Sequence, residues 1–157
     1  MQKVLLKNGI IMDGTGEKSY VGDVLIENGR IKRVSSTPIQ AECPSIDCSG
    51  KAIAPGFIDA HSHHDKYTYY LDDMMMNEPF IRQGITTFVA GNCGSSPAGM
   101  MKNSPYKKDI LVTWPEYMGE GISPWETYEE YFDFLRQKGM RTNMAMCAAH
   151  GFALASV

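Results

Sequence analysis

The hydrophobic pattern of this chain changes once, at Pro55-Gly56, and that break decides what the chain can fold into. Before it, short apolar runs alternate with Asn-Gly and Ser-Gly pairs. After it, the apolar runs become continuous, with helical signals between them. Short segments joined by tight turns make antiparallel hairpins. Continuous apolar strands separated by helices make a parallel sheet covered on both faces. Residues 1–54 are therefore expected to form part of a small β-sandwich, and residues 55–157 a parallel α/β layer.

The local signals can be placed residue by residue. Lys3 to Lys7 reads as a strand, with Asn8-Gly9 as a hairpin turn before Ile10 to Met12. Asp23 to Glu27 and Arg30 to Val34 read as partners across Asn28-Gly29. Ile46 to Ile53 reads as a strand interrupted at Ser49-Gly50. Beyond the break, Phe57 to Ala60, Ile85 to Ala90 and Met144 to Ala149 read as three buried strands. A helix is expected from Asn77, with Pro79 in its first turn and Gly84 just past its end. Gly94 to Ile122 has no clean period and reads as a long loop over one face. A second helix is expected from the Ser123-Pro124-Trp125-Glu126 capping box. Its apolar face is Tyr128, Tyr131, Phe132 and Leu135, and Lys138-Gly139 closes it.

Sites in parallel α/β sheets lie at the carboxyl ends of strands. The first strand after the break runs into His61-Ser62-His63-His64-Asp65. Alternate residues of a strand point the same way, so His61 and His63 are expected to converge, as two ligands of a divalent metal do. Asp59 shares their parity. It reads either as an acceptor fixing an imidazole tautomer or as a capping acid of the loop. Asp65 is a candidate contact to substrate or to the site's hydrogen bonds. Cys93, between Gly91-Asn92 and Gly94, ends the second strand. It reads as an exposed thiol able to ligate metal or as a small buried side chain. His150 ends the third strand, as a ligand or a substrate contact. Cys147 is expected in the core.

Composition narrows the classes. With 43% hydrophobic and 21% charged residues and a net charge of −3, the 157 residues are ordinary for a soluble domain. Lys and Arg form no run, which argues against nucleic acid as a partner. No apolar stretch reaches the roughly 18–20 residues of a membrane span. The N-terminus does not resemble a secretory signal, so the expected location is cytoplasmic. Four cysteines fit free thiols in a reducing compartment.

The Ala54-Pro55-Gly56-Phe57-Ile58-Asp59-Ala60-His61-Ser62-His63 string resembles the metal-dependent amidohydrolase superfamily. Gln83-Gly84-Ile85-Thr86-Thr87 through Gly91-Asn92-Cys93-Gly94 narrows the likeness to its D-aminoacylase (N-acyl-D-amino-acid deacylase) branch. The resemblance implies the N-terminal part of a (β/α)8 barrel, about three strands, after strands of a β-sandwich. It implies one or two Zn2+ ions, or another divalent metal, with His61, His63 and Cys93 as ligands: Cys93 and histidines of later strands hold one position, and His61 and His63 mark a second, often weaker one. The implied reaction is hydrolysis of an N-acyl-D-amino acid by metal-activated water. A general-base aspartate is expected beyond Val157. A barrel takes about 250 residues, so the chain reads as an N-terminal fragment, inactive alone. The rest of the barrel is then missing or a separate polypeptide, and a homo-oligomer is compatible. The rivals are a dihydroorotase- or hydantoinase-like enzyme acting on a cyclic amide, and a non-catalytic metal-binding or interaction module.

Overall fold

A computed structural model describes residues 2–68, 74–113 and 125–157. The chain divides into two compact units, Met1–Pro55 and Gly56–Val157.

In the first unit, β1 (Lys3–Ile11), β2 (Tyr20–Glu27), β3 (Arg30–Ser35), β4 (Ser45–Asp47) and β5 (Ala52–Ile53) form one sheet, ordered β3-β2-β1-β4 with β5 also on β1. β1 is antiparallel to β2 but parallel to β4 and β5. Because β1 collects both short strands on its second edge, the described strands make a single sheet and not two facing ones. Leu5, Leu25 and Ile39 pack together on it, with Ala41 and Cys43 against them.

The two Asn-Gly pairs have different fates. Asn28 and Gly29 both take positive φ, 53° and 73°, and close the β2–β3 hairpin as a tight turn of that type requires. Asn8-Gly9 is not a turn. Asn8 has φ 61° inside β1, where the pairing with β2 slips between Leu6 and Gly9. This is a bulge, held from the neighbouring strand. The Asn8 N–H donates to Asp23 Oδ1 at 2.9 Å, and the Ile39 N–H donates to Asp23 Oδ2 at 2.9 Å. Burial raises the Asp23 pKa, but the Ile39 and Asn8 N–H groups and the Lys7 charge outweigh it and hold the carboxyl below 3.8.

In the second unit, β6 (Phe57–Asp59), β7 (Ile85–Ala90) and β8 (Asn143–Met146) are parallel, with β7 in the middle. The helices are α1 (Met74–Arg82), α2 (Lys107–Thr113), α3 (Tyr128–Lys138) and α4 (His150–Leu154). Phe88 of β7, Tyr131 of α3 and Phe152 of α4 are fully buried, each stabilising the unit by about 1.5–3 kcal/mol.

Several expectations are corrected here. Met74 is already helical in α1, so Asn77 and Pro79 lie inside it, where Pro79 removes one backbone donor. The capping box forms one turn later than expected. Thr127 Oγ accepts from the Glu130 N–H while the Glu130 carboxylate accepts from the Thr127 N–H. Two Ser/Thr-x-x-Glu signatures follow one another, and the second one caps; Ser123 and Pro124 lie outside the described residues. The reach from Gly94 to Ile122 contains α2 among its described residues. β8 stops at Met146, so His150 opens a helix and does not end a strand. Cys147 is exposed. β6 is an edge strand whose Phe57 and Ile58 are 68% and 67% exposed, not covered on both faces.

Candidate metal centre

β6 ends at Asp59, two residues short of His61, so strand geometry alone does not aim the imidazoles. The loop does. Asp59 Oδ1 accepts from the His61 N–H at 3.2 Å, and the Ser62 N–H donates to the Val89 carbonyl of β7 at 3.0 Å. The segment thus stays paired to β7 beyond the end of β6, and the alternation carries on through it. The His61 and His63 rings stand edge to face, with centroids 5.8 Å apart. His64 turns the other way and packs on Phe80 and Phe88 at 3.8 and 4.9 Å between centroids.

The third group comes from the turn after β7. Gly91, Cys93 and Gly94 have φ of 72°, 56° and 79°. A Cβ on Gly91 would sit 2.1 Å from the Cys147 carbonyl oxygen, so only glycine fits there. Left-handed backbone at Cys93 costs about 1–2 kcal/mol. Two hydrogen bonds from Asn92 Nδ2, to the Val89 carbonyl at 2.8 Å and the Ser62 carbonyl at 3.2 Å, offset it at about 0.5–1.5 kcal/mol each. The conformation leaves the thiol exposed.

The Cys93 Sγ lies 3.6 Å from His61 Nε2, and one ligand atom from each of His61, His63 and Cys93 fits within 4.8 Å. Tetrahedral zinc, at about 2.3 Å from sulfur and about 2.0–2.1 Å from nitrogen, holds such a pair about 3.6 Å apart. Two imidazoles and a thiolate are also a donor set that zinc favours. The residues fit the metal.

The other candidates stand apart. Asp59 serves the loop backbone. Asp65 is fully buried, and its carbonyl accepts from the Thr68 hydroxyl at 2.7 Å and the Tyr131 hydroxyl at 3.4 Å. That contact secures the turn behind the histidines to α3. His150 is exposed at the start of α4 and is not among the three clustered side chains. Its neighbour Gly151 does approach the Cys93 turn, where a Cβ would lie 2.7 Å from the Gly94 carbonyl oxygen. Motif spacing alone gives Asn92 no role; its signal is its place between Gly91 and Cys93.

The amidohydrolase family model matches residues 45–118. D-Aminoacylase of Alcaligenes xylosoxydans xylosoxydans is 34% identical over 155 residues, which cover 98% of this chain. The chain is a homologue of the D-aminoacylase amidohydrolases. It spans 30% of that relative's length. A D-aminoacylase structure with a binuclear metal centre superposes with a TM-score of 0.79 at 34% identity, over 98% of this chain and 31% of that one. The N-acyl-D-glutamate deacylase of Bordetella bronchiseptica was solved with zinc and a phosphonate inhibitor that mimics the tetrahedral intermediate. It superposes with a TM-score of 0.73 at 29% identity, over 98% of this chain and 30% of that one. Among the described residues, no helix is long and apolar enough to cross a membrane.

Proposed function

We propose that this chain is the N-terminal part of a zinc-dependent N-acyl-D-amino-acid deacylase and supplies one corner of its active site. The observation that carries the reading is the meeting of His61, His63 and Cys93, with the thiol 3.6 Å from an imidazole nitrogen. Residues 55–157 act as the opening three strands of a (β/α)8 barrel, and residues 1–54 as part of its β-sandwich. The parallel order β6-β7-β8, with intervening helices, supports this. So does the placing of the clustered side chains beyond the carboxyl ends of β6 and β7.

His61, His63 and Cys93 would hold the zinc, which supplies Lewis acidity toward the acyl carbonyl and an acidified water for amide hydrolysis. The chain's own contribution is placement. Asp59 fixes the His61 backbone, the Ser62–Val89 bond ties the histidine loop to β7, and the buried Thr68–Tyr131 contact holds the turn behind it. Cys93 favours the deacylase over a cyclic-amide hydrolase, because the Gly91-Asn92-Cys93-Gly94 string carries the likeness to the D-aminoacylase branch. On this reading the further ligands and the general-base aspartate come from outside these residues, which span 30% of the D-aminoacylase relative's length. The 157 residues are therefore inactive alone, and a complementing polypeptide restores the site. A reducing cytoplasmic setting suits the exposed thiol of Cys93.

The test is zinc content and turnover of N-acetyl-D-amino acids, for the chain alone and mixed with a polypeptide covering the rest of a D-aminoacylase barrel. Bound zinc, no turnover alone, and turnover on mixing that Cys93→Ala abolishes are expected. Turnover by the chain alone refutes the fragment reading. Zinc without turnover in the mixture supports the metal-binding module instead.

A further inference from the structure

We propose that Asn92 is a positioning residue for the metal, setting how far the Cys93 sulfur stands from the two imidazoles. The inference rests on the zinc reading above and adds to it a residue that touches no metal.

The turn around Cys93 has little stiffness of its own. Gly91 and Gly94 flank it, both at positive φ, and glycine restricts the backbone least. The histidines lie on a different segment, which Cys93 Sγ approaches at His61 Nε2. The Asn92 carboxamide bonds to both segments. Its Nδ2 donates to Val89, three residues back in β7, at 2.8 Å. It also donates at 3.2 Å to the carbonyl of Ser62, thirty residues away and between His61 and His63. Both acceptors are backbone carbonyls, so the amide nitrogen and not its oxygen must face them. The Ser62 N–H in turn donates to the Val89 carbonyl at 3.0 Å. Val89, Asn92 and Ser62 thus close a small circuit with one ligand next to Asn92 and one on each side of Ser62. Break the carboxamide's link and the Cys93 turn is left to its glycines, while the histidine loop keeps its own bond to β7. The effect on metal binding then passes through Cys93 alone.

The experiment uses the 157-residue chain as wild type, Asn92→Ala, Asn92→Asp, Cys93→Ser and the Asn92→Ala/Cys93→Ser double variant. Zinc affinity is read by chelator competition, cysteine ligation by the thiolate-to-metal charge-transfer band of the cobalt(II) form, and folding by circular dichroism. Asn92→Ala is expected to weaken zinc binding about 10–100-fold and to diminish the band at unchanged circular dichroism. Asn92→Asp keeps the shape but offers oxygen in place of N–H, and is expected to do at least as much. In the Cys93→Ser background, Asn92→Ala is expected to change affinity by less than about twofold.

Wild-type affinity and band in both Asn92 variants would overturn the proposal while leaving the zinc reading intact. An equal loss with and without Cys93 would also overturn it, because Asn92 would then hold the fold and not the ligand. If Asn92→Ala unfolds, the isosteric Asn92→Asp carries the test, and unfolding of both counts against positioning. A wild-type chain that binds no zinc and shows no band overturns both readings together.

Discussion

Asn8 in the first unit and Cys93 in the second both occupy left-handed backbone, at φ 61° and 56°, and the two turns are secured differently. At Asn8 the clamp is a carboxylate, Asp23, 4% exposed and accepting from two backbone N–H groups. At Cys93 it is a neutral carboxamide, Asn92, half-buried and donating to two backbone carbonyls. The first arrangement locks a bulge. The second holds a reactive side chain open beside two imidazoles. At Asn8 the strained backbone serves the fold; at Cys93 it belongs to an exposed thiol beside the histidines.

The largest expected effect falls on the first turn. Asp23→Ala strands the Asn8 and Ile39 N–H groups, and a loss of about 3 kcal/mol is expected in urea denaturation. Zinc affinity of the folded molecules should be unchanged; a parallel loss of zinc would erase the distinction between the turns. Next comes Cys93→Gly. Relief of the left-handed strain, less the added entropy of glycine, should raise metal-free stability by about 0.5–1 kcal/mol. Zinc affinity should fall about 100-fold. Opposite signs in the thermal melt and the zinc titration are the mark of a site maintained against stability.

A smaller effect compares Asn8→Ala with Asn8→Gly. Alanine should cost about 1 kcal/mol in the same denaturation assay, and glycine less, because only glycine tolerates the positive φ. Equal costs would mean that the Asn8 side chain, which donates to Asp47 at 3.2 Å, matters more than its backbone. The smallest effect is on pH. The Asp23 carboxyl is depressed in the folded state, so its stabilisation is complete above the unfolded value of about 3.9 and is lost as pH falls through the lower folded value. The protection factors of the Asn8 and Ile39 amides should therefore fall in acid, relative to the intrinsic exchange rate at each pH. The carboxamide of Asn92 does not titrate, and the bonds it makes should show no such acid step.

What was legible in the sequence was what is local. Asn28-Gly29 could be read because a two-residue turn depends on little beyond those two residues. The same dipeptide at residues 8 and 9 was misread because its conformation is set by Asp23, fifteen positions on, where no short-range pattern reaches. His61 and His63 were visible from spacing, and the glycines around Cys93 advertised an unusual backbone. The Asn92–Ser62 bond was hidden for the same reason as the Asp23 clamp, since a single hydrogen bond between two loops leaves no period to detect. The start of α3 was read one turn early for a different reason, because Ser123 and Thr127 each offer a capping-box signature and it is Thr127 that caps.

The partners of β1 carry a consequence for how the first unit assembles. Leu5 and Lys7 pair with Ser45 and Asp47, and Ile11 with Ile53, so the earliest strand of this unit is flanked by its latest. Pairings this distant in sequence raise the contact order and slow folding. During synthesis, the edge of β1 that β4 and β5 will cover stays open until some forty further residues have been added (Ile53 follows Ile11 by 42). The β2–β3 hairpin can form while that edge waits. The N-terminal strand is made first and finished last.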